Sequence, residues 1–249
     1  MTIPERDLSD EDAKKLPPGA KHYMAYVGPP HQYDLMGASQ FALLITLGLR
    51  DAHRVLDFGC GSLRLGRLLI PYLARGKYTG LEPNKWLVTD ALDRQLGREI
   101  VRVKGPHFFY HDDFRADRCG GHFDFIIAQS IFSHAGADLI TIALSSFFSA
   151  LLDRGLVLLT VLHPGQNGVP ETSESGWFYP ACVAHRPETL ACIFANAGFP
   201  HFRVLPWFHP RQTWYVLAKK HERLPPYEMD RFLSGAILNV SPWKPSTER

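Results

Sequence analysis

Asp57, Gly59, Gly61 and Glu82 are the residues of this chain whose types and spacing bear most directly on chemistry. An apolar run, Val55-Leu56, ends in the acid Asp57, and the chain then turns on Gly59-Cys60-Gly61. Glycine lacks a Cβ and takes positive φ at little cost, so a Gly-x-Gly turn can bring bare main-chain N–H groups against a ligand. A helix starting near Ser62 would aim its N-terminus at the same place. Twenty-one residues after Gly61, a second short run, residues 77–81, ends in Glu82. Nucleoside-binding α/β folds put a carboxylate there to accept both ribose hydroxyls. A Gly-x-Gly pair alone also serves ordinary tight turns; the acid at this spacing is what points to a nucleoside.

Asp57-Phe58-Gly59-Cys60-Gly61 resembles the first motif of the class I S-adenosylmethionine-dependent methyltransferases, and Glu82-Pro83-Asn84 resembles the acidic end of their second strand. His111-Asp112-Asp113-Phe114 stands where that family has an acid near the adenine, residues 123–130 resemble its fourth strand, and residues 156–162 its fifth. The resemblance spans roughly residues 34–220. It implies a Rossmann-like, doubly wound α/β fold: a mostly parallel, seven-stranded sheet with an antiparallel terminal hairpin. It also implies S-adenosyl-L-methionine as cofactor, contacted by Asp57, Phe58, Gly59, Cys60, Gly61, Glu82, Asp112, Asp113 and Gln129. In that scheme Asp57 orients the loop or meets the methionine amino group, and Glu82 holds the ribose. Asp112 or Asp113 takes the adenine amino group, and Gln129 the amino-acid end. Plainer roles stand beside these: Asp112 can cap a turn, and Gln129 can satisfy a buried backbone group. Where many members carry a third glycine this chain has Leu63.

The elements needed to position these residues are legible as periodicity. Helix-like and strand-like runs alternate in the order of a parallel, doubly wound sheet. Leu35, Ala38, Ala42, Ile45 and Leu49 are spaced for an amphipathic helix before the first strand, and Leu65, Leu68, Leu69, Tyr72 and Leu73 for one after it, which Pro71 kinks or shortens. Leu139, Ile142, Ala143, Ser146, Phe147, Ala150 and Leu151 mark a helix between the fourth and fifth strands. Pro187 opens another and Gly198 stops it. Residues 202–207 and 213–218 form a hairpin joined by His209-Pro210-Arg211-Gln212. The organisation expected is an N-terminal cap segment, residues 1–33, a cofactor-binding domain, residues 34–220, and a C-terminal tail, residues 221–249.

Composition excludes other classes. At 249 residues, 45% hydrophobic and 21% charged, the chain can bury one substantial core. No apolar run reaches the length of a membrane span, and residues 1–15 are too charged for a secretory signal, so a cytoplasmic location without membrane partners is expected. The four cysteines form no Cys-x-x-Cys pair, which argues against a disulfide framework and a thiolate metal site. A formal charge of +2 gives no case for nucleic acid. The segment after the fourth strand, Gln129-Ser130-Ile131-Phe132, lacks the Asn/Asp-Pro-Pro-Tyr/Phe pattern of amino-directed nucleic-acid methyltransferases. Leu224-Pro225-Pro226-Tyr227 has a similar string, but in the tail, where it reads as an extended linker.

Twelve histidines invite a metal site, but His107 and His111 on an extended segment would lie about 13 Å apart, too far to share an ion, and no metal is expected. His134 and His163 follow the strands that should end over the cofactor, which makes them candidate bases; each can equally well be a loop cap. Trp177-Phe178-Tyr179 lies in a long connection, residues 163–185, which together with Tyr26 forms either a lid over the substrate or a static excursion. The sequence therefore reads as an S-adenosylmethionine-dependent methyltransferase of a small-molecule oxygen or nitrogen. Two alternatives stand: an NAD(P)-dependent oxidoreductase, which shares Gly-x-Gly with an acid about 20 residues on, and a catalytically idle nucleoside-binding module.

Overall fold

A computed structural model describes residues 3–235. Seven strands, β1 (Val55–Phe58), β2 (Tyr78–Leu81), β3 (His107–Phe109), β4 (Phe123–Ala128), β5 (Leu151–Val161), β6 (His201–Leu205) and β7 (Thr213–Ala218), form one sheet in the order β3-β2-β1-β4-β5-β7-β6. Strands β1 to β5 are parallel, and β7 enters antiparallel between β5 and β6. This is the expected fold. NAD-binding Rossmann sheets usually remain parallel throughout, so the antiparallel β7 also argues against the oxidoreductase alternative. The strand order reverses direction at β1, which pairs with β2 on one side and β4 on the other. A crevice opens beyond the carboxyl ends of strands at such a switch point.

Helices α1 (Asp10–Ala13), α2 (Tyr23–Tyr26), α3 (Tyr33–Thr46), α4 (Gly66–Tyr72), α5 (Lys85–Ala91), α6 (Arg98–Lys104), α7 (Ala137–Ala150), α8 (Pro187–Asn196) and α9 (Asp230–Gly235) surround the sheet. One face packs on α7 and α8 through Phe147, Leu190 and Phe194, and the other on α3, α4 and α5 through Leu43, Leu69 and Val88. Successive strand residues alternate between these two cores, as Phe125, Ile126 and Ile127 do in β4. Because both faces are covered, β1 and β4 read as almost unbroken apolar runs.

Several local expectations are corrected. Helix α4 starts at Gly66, not near Ser62, because Leu63 sits at φ 56°, a left-handed conformation that interrupts a right-handed helix. Leu63 is fully buried, so its packing holds it in a conformation a glycine would take freely. Helix α3 buries Met36, Gly37, Gln40, Leu43 and Leu44 and leaves Leu35 exposed, a face rotated from the expected one. The close crossing of Gly37 over the Arg64 carbonyl, which would lie 2.4 Å from a Cβ there, fixes that rotation. In α7 Ile140 and Leu144 are buried and Ile142 is exposed. The β6–β7 connection covers residues 206–212, with Trp207 buried and its Nε1–H donating to Ser39 Oγ at 3.0 Å.

The cap is fastened to the domain. The guanidinium of Arg6 donates twice to Asp90, at 2.6 and 2.8 Å, and Tyr23, Met24, Tyr33 and Leu87 form one small core. Leu224 and Pro226 are extended, as expected, but residues 221–235 are anchored to the domain: Leu233 is buried against the α3 side, Arg203 Nη1 donates to the Pro225 carbonyl at 2.6 Å, and its guanidinium lies over the Tyr227 ring. The rest of the expected tail, residues 236–249, lies outside the described residues.

Candidate active site

The carboxyl ends of β1, β2 and β4 open into a cavity of about 580 Å³. Asp57, Phe58, Gly59, Cys60, Gly61, Glu82, Asp112 and Gln129 all line it. The backbone of the glycine turn, however, faces inward to the protein. The amides of Gly59 and Cys60 donate to the Leu81 carbonyl at 2.8 and 3.0 Å, and the Gly61 amide donates to Glu82 Oε2 at 3.1 Å. These N–H groups tie the first loop to β2 instead of waiting for a ligand. Gly59 and Gly61 have φ 73° and 53°, and a Cβ on them would sit 2.1 Å from Ile131 Cδ1 and 2.6 Å from Val27 Cγ1. The missing side chain at Gly61 thus makes room for the N-terminal cap.

Glu82 is 7% exposed. Besides Gly61, it accepts from the Asn84 amide N–H and side-chain Nδ2, both at 2.8 Å on Oε1. Three of a carboxylate's roughly four acceptor positions are filled, leaving space for about one more donor. Burial raises its pKa, and the bonds from Asn84 and Gly61 oppose that rise. Asp57 accepts from Tyr78 Oη at 2.9 Å. Burial pushes its carboxyl up to about 7, against the lowering effects of the Tyr78 bond and Arg64.

Asp112 and Asp113 diverge. Asp112 lines the cavity, whereas Asp113 turns away, held by His111 Nδ1 at 2.6 Å, by the Arg115 amide at 3.1 Å and by the Arg118 guanidinium. His111 Nε2 in turn lies 3.7 Å from Cys119 Sγ. This Cys-His-Asp arrangement resembles a nucleophile triad, but burial pushes the Cys119 thiol up to about 12, leaving almost no thiolate near pH 7. Among the described residues no cluster of three His, Cys, Asp or Glu suits a metal ion.

The opposite wall contains His134, Tyr26, Trp177 and Tyr179 but neither Phe178 nor His163. Phe178 is turned aside because consecutive side chains on the extended segment alternate; its amide donates to the His134 carbonyl at 2.8 Å. His163 uses both ring nitrogens elsewhere, Nδ1 with the His185 carbonyl at 2.9 Å and Nε2 with Tyr215 Oη at 3.2 Å. His134 Nδ1 lies 2.6 Å from the Ala181 carbonyl. A carbonyl only accepts, so Nδ1 carries the proton and Nε2 holds the lone pair in the neutral ring. Burial lowers the His134 pKa, the Ala181 bond opposes this, and Arg211 adds to the lowering. The rings of Trp177 and Tyr179 lie 5.7 and 5.1 Å from the His134 ring. Tyr179 Oη donates to the Tyr26 carbonyl at 2.6 Å, closing the connection onto the cap across 153 residues of sequence.

Sequence reasoning missed several polar wall residues, among them Gln40, Arg64, His209, Arg211 and Gln212. The side-chain oxygens of Gln40 and Gln212 are buried without a partner among the described residues. His209 accepts on Nδ1 from the amides of Arg211 and Gln212, at 3.1 and 2.9 Å, so its proton is on Nε2, and the Gln129 side-chain amide 3.4 Å away meets it with its oxygen, which accepts, rather than with its NH2. Burial, with Arg64 and Arg211 nearby, pushes the His209 pKa down to about 3. The only sequence signal for Gln40 was its polarity within an apolar helix, four residues from Met36, which shares the wall.

Residues 56–157 match the family model of a methyltransferase domain. Among solved structures, the chain resembles magnesium protoporphyrin IX methyltransferase from Synechocystis PCC 6803 with bound SAH, at 16% identity and a TM-score of 0.56, covering 76% of this chain and 84% of that one. It also resembles an S-adenosylmethionine-dependent methyltransferase from Clostridium acetobutylicum ATCC 824, at 12% identity and TM-score 0.54, covering 74% and 92%. A third likeness, at 16% identity and TM-score 0.57, is to a putative O-methyltransferase from Nostoc punctiforme PCC 73102, of which this chain covers 56%. At these identities the likeness is one of fold. No curated protein sequence matches the chain. No helix of the described residues is long and apolar enough to cross a membrane.

Proposed function

We propose that this chain, whose residues 56–157 match the family model of a methyltransferase domain, is a class I S-adenosylmethionine-dependent methyltransferase that methylates an oxygen or nitrogen of a small molecule. The observation that carries the reading is a single cavity with two kinds of wall: the first-motif loop with Glu82 on one side, His134 under an aromatic roof on the other. S-adenosylmethionine supplies an electrophilic methyl on a sulfonium that carries its own leaving group. The residues must therefore bind, orient and dehydrate, and placement of this kind can contribute roughly 7–11 kcal/mol.

In this reading Glu82 takes a ribose hydroxyl with its remaining acceptor position, and Asp112 meets the adenine amino group. Arg64, whose Nη1 donates to the Val27 carbonyl at 3.0 Å, faces the cofactor's carboxylate. The unpaired oxygen of Gln40, with Asp57, faces its ammonium, and Gln129 lies at the same amino-acid end. Trp177, Tyr179 and Tyr26 exclude water. His134 takes the acceptor's proton on Nε2 where the acceptor is a hydroxyl, since its lowered pKa keeps it neutral at pH 7. His163 has no place in this chemistry. The acceptor is free in solution, and neither nucleic acid nor a membrane takes part.

Calorimetric titration with S-adenosylmethionine, S-adenosylhomocysteine and NAD tests the cofactor, and turnover of the methyl donor against a metabolite panel tests catalysis. Micromolar binding of the first two with none of NAD is expected. Binding of NAD alone would overturn the reading, and cofactor binding without turnover of any acceptor would favour an idle module.

A further inference from the structure

His134 stands among aromatic rings that the backbone holds in place. The segment carrying Trp177 runs antiparallel to the one carrying His134: Ala135 pairs with Trp177, the Gly136 amide donates to the Gly176 carbonyl at 2.9 Å, and the Phe178 amide donates to the His134 carbonyl at 2.8 Å. Side chains two apart on an extended chain point the same way, so Trp177 and Tyr179 both line the cavity and Phe178 does not. Their rings are nearly parallel, 19° apart with centroids 6.3 Å apart. The His134 ring completes a triangle with them, 5.7 and 5.1 Å away and tilted 62° and 76° to their planes. Phe114, also in the cavity wall, adds a fourth ring 5.7 Å from Trp177. Tyr179 is anchored on the Tyr26 carbonyl, while Trp177 remains 48% exposed and offers apolar surface for a ligand to cover.

Two aligned flat rings favour a flat ligand. A planar aromatic ring makes close contact over its whole face, whereas a puckered saturated ring of the same size touches only through its projecting hydrogens. The base sets a second condition. Its Nδ1–H is taken by the Ala181 carbonyl, so Nε2 alone can accept a proton, and burial makes the ring a weaker base than usual. An aliphatic hydroxyl, comparable with water at about 15.7, lies roughly nine units above an ordinary histidine, whereas a phenol near 10 lies only about four above it. The smaller gap is the one a histidine can bridge as the methyl arrives. Taking the methyltransferase reading as its basis, we propose that the acceptor is a planar aromatic ring bearing a phenolic hydroxyl, laid against Trp177 and Tyr179 with that hydroxyl at His134, and methylated on oxygen. The phenolic oxygen forms the new bond to the methyl carbon as the sulfur–carbon bond breaks, the sulfur keeps that electron pair, and the phenolic proton passes to His134 Nε2.

The test uses the full chain saturated with S-adenosylhomocysteine and titrated calorimetrically with 2-naphthol and its saturated counterpart, decahydro-2-naphthol, which match in size and in their single hydroxyl but differ in planarity and acidity. The naphthol should bind about tenfold tighter, the gain of ring-on-ring contact. Trp177→Leu should remove most of that preference by weakening the naphthol and not the saturated alcohol, and Trp177→Phe should restore much of it, with S-adenosylhomocysteine affinity unchanged in both. With S-adenosylmethionine in its place, the unaltered chain should methylate the naphthol and not the saturated alcohol. Equal binding of the two alcohols, tighter binding of the saturated one, absence of binding by both, a preference unchanged in Trp177→Leu, or methylation of the saturated alcohol alone would overturn the proposal while leaving the methyltransferase reading intact. Failure of the unaltered chain to bind S-adenosylhomocysteine would instead reject that reading, and this one with it.

Discussion

The wall made by Asp57, Gly59, Gly61, Glu82 and Gln129 comes from the ends of three adjacent strands, β1, β2 and β4, whose register is fixed by the sheet ladder. The wall opposite, made by Tyr26, His134, Trp177, Tyr179 and Arg211, is gathered from the cap, the β4–α7 connection, residues 163–185 and the β6–β7 connection. The first wall is held by backbone hydrogen bonds inside one layer. The second is held by contacts between segments far apart in sequence, such as Tyr179 on the Tyr26 carbonyl. A ligand common to many proteins can be met by the part of a fold that varies least in geometry; a particular acceptor calls for the part that varies most.

The largest expected effect would break the first wall outright. Gly61→Val puts a branched side chain at φ 53° and into Val27, so it should force the cap off the loop and remove S-adenosylmethionine binding to below detection. Calorimetry showing wild-type affinity would mean that the cofactor lies elsewhere.

Next comes His134, the proposed base of the second wall. His134→Gln keeps hydrogen-bonding capacity but removes basicity, and turnover should fall about 10²–10⁴-fold with cofactor binding nearly unchanged. The acidic limb of the kcat profile in the unaltered chain should have a midpoint below the ordinary histidine value, because the neutral ring is the active form and burial lowers its pKa. A loss under fivefold would leave His134 as a structural residue.

Glu82→Gln sharpens the comparison more finely. A bond from the ribose to this carboxylate, as proposed, would be charge-assisted, so the substitution should weaken S-adenosylmethionine binding by about 1.5–3 kcal/mol with the fold retained. An unchanged dissociation constant would take Glu82 out of the ligand's reach and leave it as the tie between the Gly61 amide and Asn84.

The smallest effect concerns Asp57 in the protein without cofactor. Its folded pKa of about 7 lies above the ordinary carboxylate value, so the native state binds the extra proton. Its contribution to stability is full below about pH 4, declines as pH rises, and is lost above about 7. Asp57→Asn should flatten this part of the melting-temperature profile between pH 4 and 8. An identical slope in both proteins would show that other groups set it.

The mostly parallel sheet and its terminal hairpin were legible because strands covered on both faces leave continuous apolar runs, and because Gly59-x-Gly61 with Glu82 at its spacing marks the β1 and β2 ends. What was not legible depended on packing. The rotated face of α3 follows from Gly37 crossing Arg64, and no periodicity in a helix apolar nearly all round could place it. The amides of Gly59 and Cys60 turned out to be engaged by Leu81, because glycine in a sequence tells that the backbone can come close and not which backbone it meets. Asp112 and Asp113 are chemically alike, and only Arg118 and His111 decide which of them faces the cavity. Arg64, His209 and Gln212 belong to no shared motif, and only the tertiary structure brings them to one wall.

The hydrogen bond from Tyr179 to the Tyr26 carbonyl also sets an order of events. Glu82 and Asn84 lie beneath the pair of segments that this bond joins, and Glu82 acts electrostatically on both tyrosine hydroxyls. On the proposed reading, a nucleoside held at Glu82 would load while the two segments are apart, and the acceptor would enter afterwards from the Trp177 side. The spent nucleoside leaves last, when the bond opens again. The kinetics should be ordered, with S-adenosylhomocysteine competing against S-adenosylmethionine alone, and Tyr179→Phe should speed its release.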